Sequence, residues 1–180
     1  MALNSTIQGQ RSATIDELPL EWFFSDAVVL DFAHKADGEH VTPGDIESGL
    51  GQIAYELKPR DIVLLRTGRD VFYGRADYSI RGCAVSAAAT CWLFERGVRV
   101  MGIDAWGWDG PLDRHARAAL AKNEPGIFWA SHQAELAYSQ IERLVNLGSL
   151  PSFGFKVACF PLKIQKGSAG PARVVAIIDD

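Results

Sequence analysis

The chain has 180 residues, 48% of them hydrophobic and 22% charged, with 18 basic and 22 acidic side chains and a net charge of −4. That length suffices for one domain with a substantial core, and an acidic balance without a basic block lacks the electrostatic footprint of a nucleic-acid binder. Cys83, Cys91 and Cys159 lie in apolar segments without CxxC spacing, no apolar run is long enough to span a bilayer, and residues 1–10 do not read as a secretion signal, so a cytoplasmic protein with reduced thiols and no membrane partner is expected. The first stretch, residues 1–12, is polar and reads as a flexible arm ahead of one domain over 13–180. Ala27–Phe32 is a continuous apolar run, the pattern of a buried strand. Thr42 before Pro43, with Asp45 and Glu47 following, predicts a helix over 43–54. A turn at 58–61 leads into a second buried strand over 62–66, which emits Arg66-Thr67-Gly68. Ser86 caps a predicted helix over 86–96, Gly97 stops it, and a strand over 98–103 follows as in a β-α-β unit. Asp113–Asn123 has helical composition with an Ala/Leu face, and a short helical stretch is expected near Gln133–Tyr138. Ile141–Leu147 fits helix or strand, and two further strands are expected over 155–164 and 172–178. The fold class is α/β, with a central sheet.

The run from Val98 to Pro111 ends an apolar strand and delivers Asp104, Trp106, Trp108 and Asp109 into a glycine-rich loop. Ligands bind at the carboxyl ends of strands in open α/β sheets, so this loop is a candidate site. The same residues also fit a packed core edge closed by an Asp-Gly-Pro turn. Of the four histidines, none is paired at HxxxH or HExxH spacing. His34 follows the first buried strand beside Lys35 and Asp37, in a loop that faces either ligand or solvent. His40 and His115 lie in polar surroundings and read as surface residues. His132 follows an aromatic segment and has Glu142 on the next element, a nitrogen and an oxygen donor that suit a divalent ion, although two ligands are too few for a closed structural site.

Five blocks in order carry a resemblance: Thr14-Ile-Asp-Glu-Leu-Pro-Leu-Glu-Trp22, Val29-Leu-Asp-Phe-Ala-His-Lys-Ala-Asp-Gly38, Leu64-Leu-Arg-Thr-Gly68, Gly102-Ile-Asp-Ala-Trp-Gly-Trp-Asp109 and Gly167-Ser-Ala-Gly-Pro-Ala-Arg-Val-Val-Ala-Ile-Ile178. From about Ser12 onward the chain resembles the cyclase family of metal-dependent hydrolases, which includes bacterial kynurenine formamidase and isatin hydrolase. The resemblance implies a swivelling β/β/α domain that hydrolyses a small amide, formamide or lactone with zinc or manganese, and by the formamidase likeness a place in tryptophan catabolism. His132 and Glu142 look like the family's later metal-binding histidine and glutamate. The family's upstream His-x-Gly-Thr-His-x-Asp-x-Pro-x-His signature has no counterpart, since no histidine precedes His34. The chain thus resembles an N-terminally shortened member.

Metal-assisted hydrolysis needs an ion to lower the pKa of a bound water and a base to take its proton. His132 is expected in catalysis and metal binding, Glu142 in metal binding, and His34 could serve as base. Asp104 and Asp109 could replace lost ligands, while Asp104, Trp106, Trp108 and Phe128 are expected to meet the substrate. The alternatives are a degenerate, non-catalytic paralogue that binds a small molecule or assembles with a complete homologue, and a fragment of a complete enzyme. A small-molecule substrate and a homo-oligomer or complete homologue are the expected partners, and an exposed edge or apolar patch is expected to be covered by the N-terminal arm or by another subunit.

Overall fold

A computed structural model describes residues 6–7, 10–123 and 129–178. Within the expected arm, β1 (Thr6–Ile7) pairs antiparallel with β2 (Gln10–Arg11). The following segment is tied down by Arg11 to Glu17 at 2.7 Å and by the Ile15 N–H to the Gly167 carbonyl at 2.8 Å.

The central sheet has six strands. They are β3 (Phe24–Asp31), β5 (Ile62–Arg66), β7 (Val100–Ile103), β8 (Ser139–Ile141), β9 (Phe155–Ala158) and β10 (Val175–Ile178), in the order β10-β9-β3-β5-β7-β8. β3, β5, β7 and β8 run parallel, whereas β9 and β10 are antiparallel additions at one edge. A separate short ladder joins β4 (His40–Val41) to β6 (Ala84–Val85).

The middle of the sheet is covered on both faces, which is why Ala27–Leu30 of β3 and Ile62–Leu65 of β5 read as unbroken apolar runs rather than alternating ones. One face carries Val28, Leu30, Val63, Leu65, Met101 and Ile103 against Ile46 and Leu50 of α1 (Pro43–Gln52) and Ala89 and Leu93 of α2 (Ala87–Glu95). On the other, Ala27, Val29, Ile62, Leu64 and Val100 meet Phe23, Leu144 and Leu147. Thr42 forms a capping box with Asp45, and the Ser86 hydroxyl accepts the Ala89 N–H at 3.1 Å, so both helix starts sit at the predicted caps. A third helix, α3 (Leu112–Lys122), ends at Asn123 in the left-handed conformation and buries none of its residues. Its apolar side stays open, with Leu120 83% exposed.

Three expectations change. No helix forms over Gln133–Tyr138, where the chain makes turns and then enters β8. The strand expected over 155–164 stops at Ala158, and only an isolated bridge joins Pro161 to Ala172, because proline has no N–H to extend a ladder. The strand expected from Val98 begins at Val100, since the Val98 N–H still bonds to the Leu93 carbonyl at the end of α2. The three cysteines are free thiols, Cys83 and Cys159 buried and Cys91 partly so. Among the described residues no helix is long and apolar enough to cross a membrane.

Candidate active site

The carboxyl ends of β7 and β8 lie side by side: Asp109 comes from the loop after β7, Glu142 follows β8 directly, and Ser131 and His132 come from the turn ahead of β8. After β7, residues 104–110 turn back along β6, with the Val85 N–H bonded to the Trp108 carbonyl at 2.8 Å. Gly110 closes this turn at φ +91°, and a Cβ there would stand 2.8 Å from that of Ala84, so glycine is required. Trp108 is fully buried, and its indole N–H donates to the Thr90 hydroxyl at 3.0 Å. Its indole belongs to the core under α2 rather than to a cleft wall, and its backbone N–H donates to Glu142 Oε1 at 2.9 Å.

Asp109 is 4% exposed, and each of its oxygens is engaged: Oδ1 accepts the Ser131 N–H at 2.7 Å, and Oδ2 lies 2.5 Å from His132 Nδ1. Ser131 is itself pinned, its hydroxyl donating to the Val85 carbonyl and its carbonyl accepting from the Tyr138 hydroxyl. With Nδ1 held by Asp109, the ring turns Nε2 toward Glu142 Oε1, 3.8 Å away. Burial alone would lower the His132 pKa, but the hydrogen bond and charge of Asp109, helped by Glu142, hold it above the ordinary histidine value.

An aromatic rim surrounds this cluster. The Trp129 ring centroid lies 5.4 Å from that of His132. Trp106 remains partly exposed, with the Arg143 guanidinium 3.6 Å over its ring and Tyr78 meeting it edge-on at 6.0 Å.

The structure therefore brings His132, Glu142 and the loop holding Trp106 and Trp108 together. Asp104 does not join them as a ligand-facing group. It is 1% exposed and accepts from the Thr67 N–H and hydroxyl at 2.7 and 2.6 Å and from the Gly68 N–H at 2.9 Å. Burial raises its pKa above the carboxylate norm, with those donors opposing the rise. His34 is exposed, meets the Phe32 ring at 6.3 Å and, among the described residues, has no hydrogen bond, ion pair or ring contact with His132 or Glu142. Phe128 lies outside the described residues. Asp109, read as a replacement ligand, is instead the partner of His132. Ser131, Trp129 and Arg143 were not singled out, and only their nearness in sequence to His132 and Glu142 could have marked them.

The donor set suits a hard or borderline divalent ion, imidazole nitrogen beside carboxylate oxygen. It is nevertheless incomplete, because no group of three His, Cys, Asp or Glu side chains among the described residues could hold a metal.

A mixed α/β domain with its candidate site at the carboxyl ends of two adjacent parallel strands is the architecture of a known hydrolase fold. The family model described as "Putative cyclase" matches residues 2–110, and the chain belongs to that family. Isatin hydrolase A from Labrenzia aggregata, solved with benzyl benzoate, is similar at 26% identity with a TM-score of 0.77, over 93% of this chain and 66% of that one. Isatin hydrolase A from Ralstonia solanacearum gives 24% identity and a TM-score of 0.79 over 99% and 69% of the two chains. An isatin hydrolase bound to the product analogue thioisatinate gives 18% identity and a TM-score of 0.79 over 99% and 69%. The chain thus spans 66% to 69% of the length of these structures. No curated protein matches it.

Proposed function

We propose that the chain is a cyclase-family hydrolase of a small amide, formamide or lactone, whose zinc or manganese ion is held in part by His132 and Glu142. The observation that carries this reading is the convergence of His132 Nε2 and Glu142 Oε1 at 3.8 Å, with Asp109 fixing the other ring nitrogen. An acid on Nδ1 sets the tautomer, leaves Nε2 as the donor and orients the ring, as partners of metal-bound histidines do. The Trp108 N–H holds one oxygen of Glu142, and Trp106 and Trp129 offer flat apolar surface to an aromatic substrate. The remaining donors come from outside the described residues, supplied by a neighbouring subunit or a complete homologue.

A second reading is favoured by the absence of a three-donor group among the described residues: a non-catalytic paralogue that keeps the cleft and assembles with a complete homologue. One experiment separates the two. The purified 180-residue protein is assayed for metal content and for hydrolysis of N-formylkynurenine and isatin with added zinc or manganese. Stoichiometric metal with hydrolysis abolished by His132→Ala supports the enzyme, whereas a folded protein without metal or turnover supports the paralogue.

A further inference from the structure

Asp109 also lines a cleft of about 380 Å³ between α3, the first turn of α2 and the Ser131 turn. Neither His132, Glu142 nor Trp106 lines it. Val85, Pro111 and Ala118 give it apolar surface, while His40, His115, Arg114 and Lys122 place cationic or hydrogen-bonding groups around it. That volume lies within the roughly 300–1,000 Å³ range of small-molecule sites, which combine apolar walls with a few polar groups.

Charge selects the ligand. Among the described residues the Arg114 and Lys122 side chains have no hydrogen bond or ion pair, although acidic residues are plentiful on this chain. The Arg114 side chain is laid against Gly38: a Cβ at that position would come within 2.4 Å of its NH1 atom and 2.9 Å of its Cδ. The Arg114 side chain thereby passes over Gly38 at the cleft, while the residue stays exposed to solvent. Asp109, the acid that lines the same space, has both oxygens committed to the Ser131 N–H and to His132, so its charge is already offset. The start of α2 adds the positive end of a helix dipole through Ala87.

We infer that this cleft is a second small-molecule site, selective for a planar monocarboxylate of the size of benzoate, with Arg114 and Lys122 receiving the carboxylate and the apolar wall receiving the ring. A forked guanidinium fits a carboxylate through paired hydrogen bonds. The site requires neither a metal ion nor turnover at His132, so it stands apart from the hydrolase reading.

The test is titration of the 180-residue protein with benzoate and with its neutral isostere benzamide, followed by calorimetry and by amide NMR. Benzoate is expected to shift the amides of Ala87, Ala118 and Ser131 and to bind about tenfold or more tightly than benzamide, the discrimination expected of a charge-assisted contact. Arg114→Gln is expected to weaken benzoate by about the same factor and Lys122→Gln by less. Equal binding of the two probes, no benzoate binding by the folded protein, or undiminished binding by both cation variants would overturn the inference. If Arg114→Gln does not fold, Lys122→Gln and the benzamide comparison decide alone, since neither depends on that variant.

Discussion

Asp109 grips both His132 and the backbone that carries it: Oδ2 lies 2.5 Å from the ring Nδ1, and Oδ1 takes the N–H of Ser131, the residue immediately before. A short imidazole–carboxylate contact of this kind leaves a strongly deshielded ring proton. The metal-free protein is expected to show a downfield Nδ1–H resonance in its proton NMR spectrum that vanishes in Asp109→Asn. The same variant should lose roughly 1–3 kcal/mol of stability, because charged hydrogen bonds are replaced by weaker ones. An unchanged spectrum would mean that Asp109 does not orient the ring.

Glycine at position 102 is required by close packing rather than by a turn. A Cβ there would meet Leu144 Cδ1 at 2.7 Å and Leu64 Cδ2 at 2.8 Å. Leu144 lies two residues past Glu142, so Gly102→Ala is expected to push the segment bearing Glu142 outward and to cost about 1–3 kcal/mol, the usual penalty of overpacking. Urea denaturation measures the stability, and the shift of the Trp108 amide reports the displaced carboxylate. Wild-type values for both would show that the core absorbs the methyl group.

Asp104 is expected to act through stability. Asp104→Ala strands the buried Thr67 N–H and the Gly68 N–H, for a loss of about 2–6 kcal/mol at roughly 1–3 per unsatisfied group. Thermal unfolding checks this, and a variant that melts with the wild type would return Asp104 to the list of ligand-facing residues.

A pH dependence follows from Asp37. Burial alone would raise its pKa, but the Gly82 N–H and the Arg81 and Arg69 guanidinium groups outweigh burial and hold it below the carboxylate norm. A carboxyl whose folded pKa is depressed contributes stability above its unfolded value, near 3.9, and loses it as pH falls through the folded value. Asp37→Asn should therefore lower the melting temperature at neutral pH, and the gap from wild type should close as pH falls below about 4. A gap that does not change with pH would assign the loss to packing.

The core of the fold is legible in the chain because burial on both faces leaves Ala27–Leu30 of β3 and Ile62–Leu65 of β5 wholly apolar, and because Thr42 and Ser86 carry the chemistry of helix caps. β8 is not legible, since Ser139-Gln140-Ile141 offers a single apolar residue and exists as a strand only through its pairing with β7. At the site, His132 and Glu142 were suggested by the family resemblance, but the link from Asp109 to His132 crosses 23 residues and depends on the Ser131 turn. Trp108 shows the ambiguity of aromatic residues most directly. An indole in a glycine-rich loop has one composition whether it lines a cleft or fills a core, and only the partner at Thr90 decides.

β8 has only three residues and one neighbouring strand, and Glu142 stands immediately beyond its last residue. Pairing does not end there, because the Arg143 N–H reaches the Ala105 carbonyl and the Leu144 N–H the Ile103 carbonyl, each at 3.0 Å. Glu142 is therefore clamped on both sides by backbone bonds to one neighbour, and whatever loosens β7 is expected to release the glutamate and the Asp109 loop together.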